Sequence, residues 1–238
     1  MPSAVVEAIV LRRRDRSESD RSLVLFTREY GKIEALAKGA RKAGSRLAGV
    51  SEPLVVADFH IAWRGKSRYI TQAQLGPPLV ELRSDYSRLL ASLTLMEIIE
   101  AAVPWESPDP DEFEFAIHSL KLLDVAVDTP AVFSWCAVHL LSLAGYGEDF
   151  EEIFQTNGKS LWGQANQHIP LSQEELLKAT TTAARLQEVE EPPKALNAPC
   201  ETLRLLLEVW QHHLEARLPA FQVLVHHFDT TGPGSTKV

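Results

Sequence analysis

The feature that most constrains this chain is a change of hydrophobic period at Gly76-Pro77-Pro78. Before it, apolar and polar residues alternate, which puts the apolar ones on one face of a strand. After it, apolar residues recur every three or four positions, as on a helix with one buried stripe. A glycine followed by two prolines continues neither pattern. The chain therefore reads as an α+β protein of two regions, strands over 1–78 and helices from 79 onward. Its 238 residues suffice for two modest cores.

Five short strands are predicted in the first region. Ala4 to Leu11 is apolar but for Glu7, and Ser22 to Thr27 is rich in β-formers. Gly31 supplies a tight turn before Lys32 to Lys38, where Ile33, Ala35 and Ala37 alternate with Glu34 and Leu36. A polar loop over 39–46 follows. Pro53 opens the clearest strand, with Val55, Ala57, Phe59, Ile61 and Trp63 on one face, and Tyr69 to Leu75 is the fifth. Five such strands joined by turns predict a small closed barrel.

The second region, 79–228, predicts an acidic helical domain. Ser84 is the expected N-cap of a helix carrying Leu89, Leu90, Leu93 and Met96. A second helix is expected from about Asp111 to Val125. Thr129-Pro130 opens a third, apolar on most sides and ended by Gly145-Tyr146-Gly147. Residues 148–170 read as irregular. Ser172 and Glu175 have capping-box spacing at the head of a helix closed by Pro192-Pro193, and a last helix is expected from Pro199 to Arg217. Residues 229–238, with Gly232-Pro233-Gly234, are expected to be disordered.

Charge is split in the same way. The formal net charge is −8, yet residues 1–80 hold 14 Lys and Arg against 8 Asp and Glu, and 81–238 hold 10 against 24. A basic region attracts polyanions. Its cations lie at strand ends and in loops: Arg12, Arg13, Arg14, Arg16 and Arg21 at the first loop, Lys32 and Lys38 around the third strand, and Arg41, Lys42 and Arg46 in the loop after it. Arg64, Lys66 and Arg68 crowd the last hairpin beside Tyr69. Small barrels bind single strands by pairing such cations with aromatic platforms; Phe26, Tyr30 and Tyr69 are the candidates. Four to six neutralised phosphates predict a log–log salt slope of about −3 to −4. No base-reading helix or finger is visible, so weak sequence preference is expected.

Other chemistry is poorly supported. Cys136 and Cys200 are isolated in apolar helical contexts, without the paired spacing of a zinc site or a disulfide framework. His212-His213 and His226-His227 are adjacent pairs that point about 100° apart on a helix and cannot chelate jointly. Nucleophile-elbow, Walker and dinucleotide motifs are absent. Neither a signal peptide nor an eighteen-residue apolar span is present, so a non-enzymatic protein of the cytoplasm is expected.

Gly31-Lys32-Ile33, Ala37-Lys38-Gly39-Ala40-Arg41-Lys42, Ser45-Arg46-Leu47-Ala48-Gly49 and Glu52-Pro53 together closely resemble the N-terminal domain of the RecO family of bacterial recombination mediators. Leu11-Arg12-Arg13-Arg14, Asp20-Arg21-Ser22-Leu23 and Phe26-Thr27-Arg28-Glu29-Tyr30 fit the same pattern upstream. The match is specific over about the first 75 residues and looser beyond, resting on Leu140-Leu141-Ser142-Leu143-Ala144-Gly145-Tyr146. The resemblance implies an oligonucleotide-binding (OB) barrel joined to a helical domain. It implies binding of single-stranded and double-stranded DNA, strand annealing, and RecA loading with RecR and single-strand-binding protein, at the nucleoid. It places the family's basic loop on Lys38, Arg41, Lys42 and Arg46, with Lys32 beside it. Many members carry a four-cysteine zinc finger after the Gly-Tyr motif; Asp149 to Pro170 has no cysteine, and no bound metal or cofactor is expected.

Two readings stay open. In one the barrel binds DNA directly. In the other it is an adaptor that docks RecR and meets DNA only within the complex. The acidic tail of single-strand-binding protein would need a cation beside an apolar pocket, and Arg83, Arg88, Arg185, Arg204 and Arg217 are the candidates, without a choice among them.

Overall fold

The structure is a computed structural model, and it describes residues 2–147, 149–157 and 171–231. The first strand region folds as β1 (Ser3–Asp15), β2 (Arg21–Thr27), β3 (Gly31–Ala37), a single helical turn α1 (Leu47–Val50), β4 (Val56–Arg64) and β5 (Ser67–Leu75). These close into a five-stranded barrel in the order β1-β2-β3-β5-β4. β1 is long enough to pair antiparallel with β4 at its start and β2 at its end, and a register shift between Val10 and Arg12 lets it serve both. The closing seam is short: β3 meets β5 in parallel at Leu36–Tyr69 and Ala37–Ile70. Alternation fills the interior as expected, with Ala57, Phe59 and Ile61 of β4 facing Ile33, Ala35 and Ala37 of β3 in one buried cluster. The turn α1 follows the predicted loop over 39–46, in a stretch for which the periodicity predicts no element.

The helices are α2 (Tyr86–Ala102), α3 (Pro110–Asp124), α4 (Thr129–Leu143), α5 (Phe150–Gln155), α6 (Gln173–Glu188), α7 (Pro199–Leu214) and α8 (Pro219–Thr231). α4 is buried on most sides, as its composition predicts, and packs with α6 and α7. Trp210 of α7 is wholly buried, and its indole N–H donates to the Ala137 carbonyl of α4 at 3.3 Å.

Several boundaries differ from the sequence reading. Asp85, not Ser84, accepts from an amide of the first turn of α2, that of Arg88 at 2.9 Å, while the Ser84 hydroxyl donates back to the Glu81 carbonyl. Asp128, one residue before Thr129, caps α4 by accepting from the Ala131 amide. Phe150 to Gln155 is helical rather than irregular, capped by Asp149; Glu148 and 158–170, where the metal-free loop is expected, lie outside the described residues. α7 stops at Leu214, where Glu215 takes φ +48°, and a separate helix α8 follows. Its last residues, Asp229 to Thr231, belong to the expected disordered tail and are helical; 232–238 are not described.

The capping box at Ser172 and Glu175 is present on both sides. Ser172→Ala is expected to cost about 1 kcal/mol of stability in urea unfolding; a loss within error would mean the cap is not formed in solution.

The chain packs as two compact units. One comprises Met1–Val80 with Ile99–Leu120, and the other Glu81–Ile98 with Lys121–Val238. The barrel unit thus takes in a later segment. Phe113 packs edge-on against Phe26 of β2 with ring centroids 5.5 Å apart. Lys32 and Trp105 form an isolated bridge, and the Glu106 amide donates to the Lys32 carbonyl at 3.0 Å.

A candidate nucleic-acid interface on the barrel

The annexed segment changes the electrostatics of the barrel. Residues 99–120 contribute Glu100, Glu106, Asp109, Asp111, Glu112 and Glu114 and no Lys or Arg. With them the barrel unit holds 14 basic and 14 acidic residues. The excess of cations read along the sequence is cancelled within the folded unit, and any attraction for a polyanion must come from how the charges are arranged.

The cations and the ring picked from sequence fall into distinct groups, apart from Arg16, which approaches Glu34 at 3.8 Å. Lys38, Arg64 and Tyr69 come together because the parallel seam sets Leu36 opposite Tyr69 and the β4–β5 hairpin returns Arg64 to the same place. The Lys38 ammonium stands 4.9 Å from the Tyr69 ring centroid and the Arg64 guanidinium 5.7 Å. Lys66 is exposed at the hairpin tip between them in sequence. Lys42 joins through the turn after β3, where its amide donates to the Gly39 carbonyl at 3.1 Å. Asp20 accepts from the Gly39 amide at 2.8 Å, which, with Ser19 and the charges of Lys38 and Lys42, holds its carboxyl below the usual range. Two cations therefore flank the Tyr69 ring at the β3–β5 seam, Lys42 follows in the turn after Lys38 and Lys66 at the hairpin tip after Arg64, and Asp20 feels the charge of both lysines.

A second, ion-paired group adjoins the first at the end of β1, where Asp15 is in register with Arg21 and Arg21 with Ala37. Arg13 and Arg21 both reach Glu52, at 2.7 and 3.1 Å, and Arg21 and Arg41 both approach Asp15, at 3.6 and 3.4 Å. Arg21 is further fixed by the Ser51 hydroxyl and the Ala48 carbonyl. Arg12 pairs with Glu100 and Arg68 with Glu106. Arg14 and Arg46 are exposed without a carboxylate partner among the described residues; nothing brings them to the Tyr69 group.

Lys32 is placed where no phosphate can reach it. The residue is 5% exposed, its ammonium donates to the Glu100 carbonyl near the end of α2, and it lies 4.8 Å from the Trp105 ring centroid. Burial pushes its pKa down although Glu100 is near. A cation on the carbonyl end of a helix satisfies an acceptor the helix leaves unpaired, so Lys32 ties α2 to β3 and is not a ligand contact. Phe26 is likewise core, with no exposed surface.

Sequence reading passed over three residues. Arg28 pairs with both Glu7 and Glu114 and sits 5.3 Å over Phe113. Tyr30 contacts Trp63 at 5.5 Å between ring centroids, and Trp105 is 54% exposed. Trp63 was legible as part of the apolar β4 stripe and Arg28 by its charge, but nothing in the sequence tied them to Tyr30 or to Glu7 and Glu114; Trp105 stood out only as an aromatic between Pro104 and Glu106.

In the helical unit, a cleft of about 840 Å³ is lined by Arg88 and Arg204 together with Val127, Pro130, Leu196 and Phe228. Val127 is 98% exposed at its edge. Arg88 donates to the Asp124 and Ala126 carbonyls, and Arg204 pairs with Asp229 at 2.9 Å. Cys200 also lines this cleft and is half-buried rather than enclosed; Cys136 is buried. Arg217 lines a smaller and more polar cleft of about 390 Å³, and Arg83 and Arg185 line neither. Among the described residues no group of three His, Cys, Asp or Glu side chains could hold a metal ion, and no helix is long and apolar enough to cross a membrane.

A closed five-stranded barrel with a cation-flanked ring at its seam, followed by an all-helical region, defines a barrel-and-helix protein of the OB type. Recombination protein O N-terminal matches residues 1–77 and recombination protein O C-terminal matches 83–220, and the chain belongs to that family. Similar proteins include the DNA repair protein RecO of Syntrophobacter fumaroxidans, 32% identical over 52% of this chain and 49% of that one. The DNA repair protein RecO of Bacillus subtilis is 30% identical over 58% and 54%, and that of Bacillus pumilus 28% over 64% and 60%. The chain thus spans about half to three-fifths of the length of these relatives.

Proposed function

We infer that the barrel binds single-stranded DNA, and duplex DNA more generally, through the Tyr69 group without strong sequence preference, in support of strand annealing and RecA loading during recombinational repair. The observation that carries this is the Tyr69 ring with the Lys38 ammonium 4.9 Å and the Arg64 guanidinium 5.7 Å from its centroid. Cations beside a ring offer a phosphate and its base two contacts from one place. Lys42 and Lys66 extend the cationic ground to either side. Arg14 and Arg46 would meet a longer strand, whereas Arg12, Arg13, Arg21, Arg41 and Arg68 would first have to exchange a carboxylate. The protein works by binding and is assigned no catalysis, metal or cofactor. Its place is the cytoplasm, at the nucleoid.

RecR and single-strand-binding protein are the proposed partners, with RecA acted on indirectly. For the tail of single-strand-binding protein the five arginines stay candidates; Arg88 and Arg204 are favoured because they line the larger cleft beside Val127 and Phe228, although an acidic tail would have to displace Glu175 and Asp229 from Arg204.

Fluorescence anisotropy with a labelled oligothymidylate, titrated at several salt concentrations, tests the DNA reading. Four phosphates at about 0.7 each give a log–log slope of about −3. A slope near zero, or no binding at low salt, would favour the adaptor reading, in which the barrel docks RecR. The specific support for that alternative is the number of barrel arginines already paired with carboxylates of the same unit.

A further inference from the structure

The acids that neutralise the barrel unit are not spread at random. Three carboxylates of the annexed segment each meet a different barrel arginine: Glu100 on Arg12, Glu106 on Arg68 and Glu114 on Arg28. Glu106 and Glu114 keep 62% and 54% of their side-chain surface in solvent, against 20% for Arg68 and 37% for Arg28, so the carboxylates can swing out, and Arg28 retains Glu7 as a second partner. Glu106 is anchored by its backbone, which takes φ +58° and donates to the Lys32 carbonyl. Its carboxylate is therefore delivered to Arg68 by a fixed main chain. Arg68 in turn neighbours Tyr69 along β5 and is the register partner of Trp63.

Resting on the DNA-binding reading above, we propose that Glu106 and Glu114 occupy Arg68 and Arg28 in place of phosphates, and that a bound polynucleotide exchanges them. Arg68, on the strand face opposite Tyr69, then adds a contact beyond that site, and Arg28 adds another where Glu7 also yields, so the segment from Glu100 to Glu114 acts as an internal competitor that weakens binding and speeds release. The exchange is cheap because a solvent-exposed carboxylate–guanidinium pair contributes little, and a phosphate supplies an equivalent acceptor geometry. It also breaks no backbone contact: Glu106 keeps its amide bond to Lys32 while its side chain swings free.

The deciding measurement is oligothymidylate affinity of the whole chain against salt for wild type, Glu106→Gln, Glu114→Gln and the double variant. Each substitution keeps shape and removes charge. Glu106→Gln is expected to tighten binding about three-fold to ten-fold at low salt and Glu114→Gln less, because Glu7 still holds Arg28, and the double variant to steepen the log–log slope by about 0.7 to 1.4. Arg28→Gln in the double-variant background should remove the part of the gain that Glu114→Gln contributes. Affinity and slope unchanged in the double variant, with wild type binding normally, would overturn the competitor while leaving the DNA-binding reading intact. Weaker binding in the variants would overturn it too, showing that the carboxylates hold the arginines ready for phosphate. Absence of binding by wild type and variants alike would instead strike the underlying reading. Circular dichroism and thermal melting establish that each variant is folded.

Discussion

Replacing Lys38, Lys42, Arg64 and Lys66 together by Glu is expected to weaken oligonucleotide binding by roughly three decades at about 50 mM salt, and to remove most of its salt dependence. The size follows from counting. Four phosphate contacts at about 0.7 each account for a slope near 2.8, and that slope acts over the range from about 1 M, where the electrostatic part vanishes, down to low salt. Lys38, Lys42, Arg64 and Lys66 are exposed, so the fold has little to lose; a melting temperature within a few degrees of wild type is the control. The same fourfold change at Arg12, Arg13, Arg21 and Arg41 is expected to have a smaller effect on affinity and a larger one on stability, because those cations already hold Glu100, Glu52 and Asp15. Equal affinity losses from the two sets would mean that the seam is not the binding site.

Gly31→Ala is expected to destabilise the barrel unit by on the order of 3–5 kcal/mol, against about 1 kcal/mol for Gly44→Ala. Both glycines have positive φ, +64° and +74°, so both substitutions carry the left-handed strain of an L residue. They differ in surroundings. A Cβ on Gly31 would lie 2.2 Å from the Ser107 carbonyl oxygen, which is backbone and cannot rotate away, whereas Gly44 has nothing within 4 Å. Because the chain packs as two units, the loss is best read from hydrogen exchange at amides of β2 and β3 rather than from a single melting midpoint. Similar losses at the two positions would show that the Ser107 contact is looser than drawn.

Local patterns told most of the fold. The alternation through Val55, Ala57, Phe59, Ile61 and Trp63 identified β4 because the period of a strand is written in adjacent residues. The Ser172–Glu175 cap was readable for the same reason, with both partners inside four residues. The sequence reading runs no helix through α8 although Leu218, Phe221, Leu224 and Val225 have helical spacing and Pro219 stands at its first position; the break before it is made by Glu215 in a left-handed conformation, where no glycine marks the stop. The site was only half legible. Lys38 and Arg64 were named for their charge, but which cations remain available is decided by partners far along the chain. Lys32 is taken out by Glu100, sixty-eight residues away, and Arg68 meets Glu106 across thirty-eight. Counting charges along a sequence assumes that neighbours in the chain are neighbours in space, and the annexed segment breaks that assumption.

That annexation has a consequence for biosynthesis. Strands β1 to β5 are complete once Leu75 has been made, yet Phe26 lacks Phe113 and the Gly31 turn lacks Ser107 until some forty more residues have left the ribosome. The nascent barrel must wait with part of its apolar wall uncovered. An expression fragment ending at the proline pair will therefore stay sticky, and one extended through Leu120 is the shortest piece that holds both segments of the barrel unit, with Glu81–Ile98 left without the rest of their own unit.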